Sequence, residues 1–68
     1  MDYMDFVDRD VTLYLEGGTA LKGHVRDVNK LRTPVTGGNF ADHIMLVMIH
    51  NNHTTFVRLD KVVAYEIY

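Results

Sequence analysis

Paired turn-forming residues divide this chain into short, strand-like runs. Gly17-Gly18 and Asn51-Asn52 each stand between two runs rich in aliphatic, aromatic and β-branched residues. Glycine and asparagine tolerate the positive φ that tight hairpin turns require. In VTLYLE, residues 11–16, inward apolar residues alternate with outward ones, which is the pattern of a half-buried strand. The spacing therefore predicts antiparallel hairpins.

Five such runs fit strands, and they cover residues 11–16, 19–26, 43–50, 53–59 and 62–68. The alternation of the second run slips by one residue at Asp27-Val28, which predicts a bulge or a sharp bend. Gly23 on its inner face allows another element to approach closely. Residues 1–8 read as a short helix, capped by Asp2. We expect one mainly β domain over residues 1–68, in which the N-terminal helix precedes a strongly bent five-stranded antiparallel sheet that forms a small barrel.

The one long connection is KLRTPVTGGNFAD, residues 30–42. Pro34 has no backbone N–H to donate and so does not fit a central strand of a sheet, and Gly37-Gly38-Asn39 is typical of a turn. Two interpretations stay open, an excursion with its own small hairpin and a mobile loop. A connection of this length in a small domain suggests a function or an interface.

The small size of the chain favours assembly. A domain of 68 residues buries only about 60% of the surface that its unfolded chain exposes. The absence of cysteine excludes disulfides and thiolate metal sites as sources of stability, so oligomerisation is expected. The longest apolar run, IMLVMI at residues 44–49, has the length of a strand rather than a membrane span. We expect a soluble, cytoplasmic chain with no membrane partner.

Charge is unevenly distributed along the sequence, although the net charge is only −2. Acidic residues crowd the first ten positions, while Lys22, His24 and Arg26 form a basic row on one face of the second strand. Dedicated duplex-binding domains are usually strongly basic, so the total charge argues mildly against such a role. The simplest interpretation is that these basic side chains lie on a solvated strand face and that the acidic N-terminus balances their charge.

Two stretches resemble the motifs of the Sm and Sm-like RNA-binding proteins. VTLYLEGGTALKGHVRDVN, residues 11–29, is similar to the first Sm motif, with a glycine turn followed by the Leu21-Lys22-Gly23 spacing and a bent second strand. FVRLDKVV, residues 56–63, resembles the second motif, in which an apolar strand ends in arginine-glycine and another apolar strand follows. The order of one helix and five strands also agrees with this family.

The resemblance implies a homo-oligomeric ring in which strand four of one subunit pairs with strand five of the next. It also implies that single-stranded RNA binds at the inner rim, held by Arg58 at the end of strand four, with Asp60 orienting the guanidinium. Asn29 and His43 align with the family's aspartate and its base-reading asparagine, and histidine can also stack on a base. Leu59 departs from the family, which has glycine there.

Other interpretations of the same residues stay open. Arg58 can be a strand-end residue that pairs with Asp60 and holds the turn. The chain can also be a ring-forming or small-barrel assembly module that has lost base-specific RNA binding. His50 and His53 flank the Asn51-Asn52 turn and are expected to be surface histidines, since no third ligand is evident. We expect no metal and no cofactor. We also expect no enzymatic activity, because no nucleophile stands at a sequence spacing typical of a catalytic site.

Overall fold

A computed structural model describes residues 3–68, which form one five-stranded antiparallel sheet. The strands are β1 (Arg9–Leu15), β2 (Ala20–Pro34), β3 (Phe40–His50), β4 (His53–Arg58) and β5 (Val62–Ile67). Their order across the sheet is β4-β3-β2-β1-β5. The mainly β character and the five antiparallel strands predicted from the sequence are therefore confirmed.

The turn dipeptides adopt the backbone that their residue types suggested. Asn51 and Asn52 have φ of 49° and 63° and form a two-residue turn that joins β3 to β4. The link between β1 and β2 is longer than a two-residue hairpin and covers residues 16–19. Gly17 and Gly18 lie in this link with φ of 88° and 93°, a region that side-chain-bearing residues rarely adopt.

The stretch from 30 to 42 forms a hairpin with a turn at Gly37-Gly38, which is the first of the two interpretations that the sequence left open. β2 continues to Pro34 and β3 begins at Phe40, and these two residues pair at the end of a long two-stranded arm. A 3-10 turn at Thr36–Gly38 closes the tip. The arm contributes to a longest dimension of 41 Å, against 25 and 24 Å in the other two directions. Pro34 is tolerated because it ends its strand.

The core lies on one side of the bent sheet. The register of β2 against β3 shifts between Val25 and Asp27, where the sequence alternation slipped. The buried cluster draws on the N-terminal segment and four strands and consists of Phe6, Val11, Leu13, Val25, Leu46, Met48 and Val57. Full burial of one such aliphatic or aromatic side chain contributes about 1.5–3 kcal/mol.

Gly23 marks the closest approach of two strands. A Cβ atom at this position would stand 2.5 Å from the carbonyl oxygen of Ile49 on β3. No real side chain tolerates that distance to a backbone atom, so β2 and β3 come together here only because residue 23 has none. The expected role of this glycine in close packing is thus confirmed.

Two features of the expected fold are wrong. The N-terminal helix is only a 3-10 turn at Tyr3–Phe6, which holds Phe6 edge-on to Tyr65 at a centroid distance of 5.0 Å. Asp8, with φ of 62°, then turns the chain into β1. The proposed cap, Asp2, lies outside the described residues. A four-residue turn cannot sustain the i to i−4 bonds of an α-helix.

The sheet is also open rather than closed as a barrel. β4 and β5 are its two edges, and within residues 3–68 no ladder joins them. A 3-10 turn at Leu59–Lys61 connects them, and β5 pairs with β1 instead. The outer backbone groups of both edge strands are therefore left for water or another chain. Among the described residues, no helix has the length and apolar character needed to cross a membrane.

Candidate functional site

Arg58 and Asp60 form a forked ion pair at the junction of β4 and β5. Arg58 is the last residue of β4, and the turn Leu59–Lys61 brings Asp60 back beneath it. Arg58 Nε donates to Asp60 Oδ1 at 3.1 Å, and Nη2 donates to Oδ2 at 2.6 Å. The two bonds fix the plane of the guanidinium, as parallel arginine–carboxylate bonds do. Hydrogen bonding by Arg58 lowers the pKa of Asp60 below its usual value.

His43 joins this pair from β3. Arg58 Nη2 donates to His43 Nδ1 at 3.2 Å, and His43 Nε2 lies 3.2 Å from Thr33 Oγ1 on β2. A guanidinium can only donate, so Nδ1 must carry the lone pair and Nε2 the proton. This assignment makes His43 neutral and has Nε2 donate to the Thr33 hydroxyl. Arg58, Asp60, His43 and Thr33, hereafter the Arg58 cluster, thus form one connected network.

Asn29 is not part of the Arg58 cluster. The register places Asn29 opposite Met45 and Met45 opposite Arg58, so the three residues form a row across β2, β3 and β4. Two strand spacings separate the backbones of Asn29 and Arg58 by roughly 10 Å. Asn29 instead borders an apolar groove of about 490 Å³, which is also lined by Lys30, Leu31, Met45 and Phe56. The resemblance grouped Asn29 with Arg58 and His43, whereas the structure places Asn29 beside this groove and outside their hydrogen-bonded network.

A second depression adjoins the Arg58 cluster. It has a volume of about 260 Å³ and is lined by Asp42, His43, Ile44, Leu59 and Asp60. Leu59, at the position where the Sm-like motif has glycine, packs against the buried core. The side chain that departs from the motif therefore anchors the turn that carries Asp60.

Sequence reasoning missed two contributors to this region. Thr33 was assigned to the long connection, and only the register of the arm brings it near His43. The groove residue Phe56 stands two positions before Arg58 on the same strand and is 58% exposed. Its spacing from Arg58 predicts a shared face, because side chains at i and i+2 of a strand point the same way.

The basic row on β2 is largely engaged. His24 Nδ1 lies 3.0 Å from Asp10 Oδ1, and Nε2 lies 3.0 Å from Asp8 Oδ1. Carboxylates accept, so the form of the ring that satisfies both bonds is the imidazolium, in which both nitrogens donate. The hydrogen bond to Asp10, followed by that to Asp8, raises the pKa of His24. Lys22 Nζ lies 5.4 Å from the centre of the Tyr68 ring, a cation–π distance.

The two hairpin histidines occupy different environments. His50 Nδ1 lies 2.6 Å from the backbone carbonyl oxygen of Lys22. His53 is exposed and lies opposite His50 in the ladder. Within residues 3–68, no group of three or more histidine, aspartate or glutamate side chains is placed to hold a metal ion.

Comparison of the chain with family models, with curated proteins and with solved structures found no match in any of the three.

Proposed function

We propose that this chain assembles into a ring of identical subunits and binds single-stranded RNA through the Arg58 cluster. The proposal extends the resemblance of residues 11–29 and 56–63 to the Sm-like motifs. The observation that carries it is the placement of Arg58 and Asp60 at the junction between the two edge strands.

The free edges support assembly. β4 and β5 are the outer strands, and each carries a large exposed apolar side chain, Phe56 at 58% and Val63 at 66%. Unpaired apolar edges invite pairing with another chain. When β4 of one copy pairs with β5 of the next, the same head-to-tail contact is repeated, and it closes into a ring if the rotation permits. Such pairing adds the burial that a small chain lacks.

The geometry of Arg58 supports recognition of bases. Asp60 holds Nε and Nη2, and His43 shares Nη2, so the faces of the guanidinium and Nη1 remain for a ligand. The Arg58 side chain is 42% exposed. A guanidinium held flat in this way offers a stacking surface to a nucleobase. His43 lies beside it and presents a second planar group.

A second candidate function is an assembly module without RNA recognition. The salt bridge to Asp60 already neutralises the Arg58 charge, and Asn29 stands apart from the cluster. Both observations favour a structural role for Arg58, in which it holds the turn between β4 and β5. This candidate predicts the same ring with no affinity for RNA.

Fluorescence anisotropy with labelled oligo-uridine and oligo-adenosine tests RNA binding. Arg58→Ala is expected to weaken salt-sensitive binding by at least about tenfold, since stacking on one base contributes about 1–3 kcal/mol. Arg9→Ala is the matched control. It removes the same charge at the start of β1, whereas the β4–β5 turn lies near the opposite end of that strand, where Glu16 N, one residue past Leu15, donates to Lys61 O. Equal RNA affinities for Arg58→Ala and wild type would show that Arg58 does not contribute to RNA binding. The absence of RNA binding by any form would favour the assembly module.

A further inference from the structure

The β3–β4 hairpin ends in two histidines that face each other. His50 and His53 are the last paired residues of the ladder, on either side of the Asn51-Asn52 turn. Directly opposite residues of an antiparallel pair point to the same face, with Cβ atoms about 4.5–5.5 Å apart. Two imidazoles at this separation can reach a single ion.

Hydrogen bonding fixes the tautomer of His50. Its Nδ1 lies 2.6 Å from the Lys22 carbonyl oxygen, which can only accept, so Nδ1 carries the proton. The lone pair is therefore on Nε2, which accepts a weak hydrogen bond of 3.3 Å from Asn51 Nδ2. Metal-binding histidines almost always donate their other ring nitrogen to a carbonyl or carboxylate in this way. His50 thus has the tautomer of a ligand, and an ion at Nε2 would displace the Asn51 amide.

His53 is free to complete the pair. It is exposed, and its ring makes no hydrogen bond to any of residues 3–68. We propose that His50 Nε2 and the His53 ring form a two-imidazole site for a divalent transition metal ion of the Zn²⁺ class. Imidazole suits Zn²⁺, Ni²⁺ and Cu²⁺ and does not suit Mg²⁺. Water fills the remaining positions, so the ion is exchangeable and does not hold the fold together.

This site is separate from the Arg58 cluster and does not depend on RNA binding. His53 and Arg58 are the two ends of β4, about 17 Å apart along the strand. The sequence predicted no metal because it offered only two ligands and no third. The added observation is the carbonyl of Lys22, on a strand distant in sequence, which orients His50.

Isothermal titration of untagged protein with zinc sulfate tests the proposal, with magnesium sulfate as the comparison ion. We expect one Zn²⁺ per chain and no heat from Mg²⁺. His53→Gln is expected to weaken Zn²⁺ binding by at least about tenfold, since even the loss of an outer partner of a ligand costs 10–100-fold. His24→Gln is the matched control, because both nitrogens of His24 are engaged by carboxylates, and it should bind Zn²⁺ as the wild type does.

Spectra that correlate histidine ring protons with their nitrogens provide a second readout. Zn²⁺ is expected to shift Nε2 of His50 and to leave its Nδ1 protonated. This measurement tests the role of His50 without a substitution, which would also remove its bond to the Lys22 carbonyl. Equal Zn²⁺ affinity in His53→Gln and wild type, or no Zn²⁺ binding by the wild type, would overturn the proposal.

Discussion

Arg58 and Asp60 form two parallel hydrogen bonds across a single intervening residue, with N–O distances of 3.1 and 2.6 Å. The intervening residue, Leu59, points into the core while its two neighbours point outward. The turn between the edge strands therefore has an apolar anchor below and an ion pair above. Because the same turn carries Leu59 and Asp60, a change in its stability should also change the position of the Arg58 guanidinium.

Replacing the anchor should cost stability. Leu59→Ala removes a side chain that packs against the buried cluster, and we expect the free energy of unfolding to fall by about 2 kcal/mol, the lower end for such truncations because Leu59 is only partly buried. Urea denaturation measures the loss. Leu59→Met conserves volume and should stay within about 1.5 kcal/mol of the wild type. A Leu59→Ala protein as stable as the wild type would show that the turn does not depend on this side chain.

Gly23→Ala should destabilise the sheet. The added Cβ would stand 2.5 Å from the Ile49 carbonyl oxygen, so β2 and β3 must move apart. The expected cost is about 1–3 kcal/mol, as for other overpacked sites, and urea denaturation detects it. Arg26→Ala, at an exposed position of the same strand, should change the free energy of unfolding by no more than about 0.5 kcal/mol. Equal effects of the two substitutions would argue against the close approach.

His24 should make stability depend on pH. Because its pKa is raised in the folded chain, its contribution is complete below the unfolded value near 6.5 and is lost as the pH rises through the folded pKa. As the pH rises above the unfolded value near 6.5, the Tm of the wild type should fall relative to that of His24→Gln. His53→Gln, which removes a ring with no hydrogen bond within residues 3–68, should follow the wild type. Parallel curves for wild type and His24→Gln would show that the bonds to Asp8 and Asp10 contribute nothing.

Phe56→Glu should disrupt assembly without unfolding the chain. Phe56 is 58% exposed on the edge strand β4, so the substitution costs the monomer little but places a charge at the proposed contact. Light scattering is expected to show a shift to monomers or small oligomers. Phe40→Glu makes the same change at the tip of the arm, where Phe40 is 62% exposed, and should leave the assembly intact. Dissociation by Phe40→Glu alone would move the contact to the arm.

The predictable part of the fold is the part that buries side chains. Val11 and Leu13 on β1 stand at alternating positions and enter the core as the pattern indicated, whereas the continuous apolar run of β3 did not show that Leu46 and Met48 would be the inward pair. The slip at Asp27 also predicted the shifted register. Burial of one face makes apolar and polar residues alternate along a strand, and this alternation can be recognised in the sequence.

For residues 30–42 the sequence did not decide between a hairpin and a mobile loop, and for the sheet it predicted a barrel where the structure is open; the two have a common reason. Residues 30–34 and 40–42 are mostly exposed, so no apolar alternation marks them as strands, and only their backbone ladder holds them together. The pairing that decides between an open sheet and a closed barrel is likewise a backbone property. In the site, the Arg58–Asp60 pair followed from sequence proximity, whereas Thr33 depended on the register of the arm.

The most direct test of the proposed ring is the mass of the purified chain by light scattering after gel filtration. Pairing of β4 with β5 between copies predicts a closed assembly of roughly five to eight subunits whose mass does not grow with concentration. A strict monomer at all concentrations would contradict the proposed ring, since the two edge strands would then have no partner.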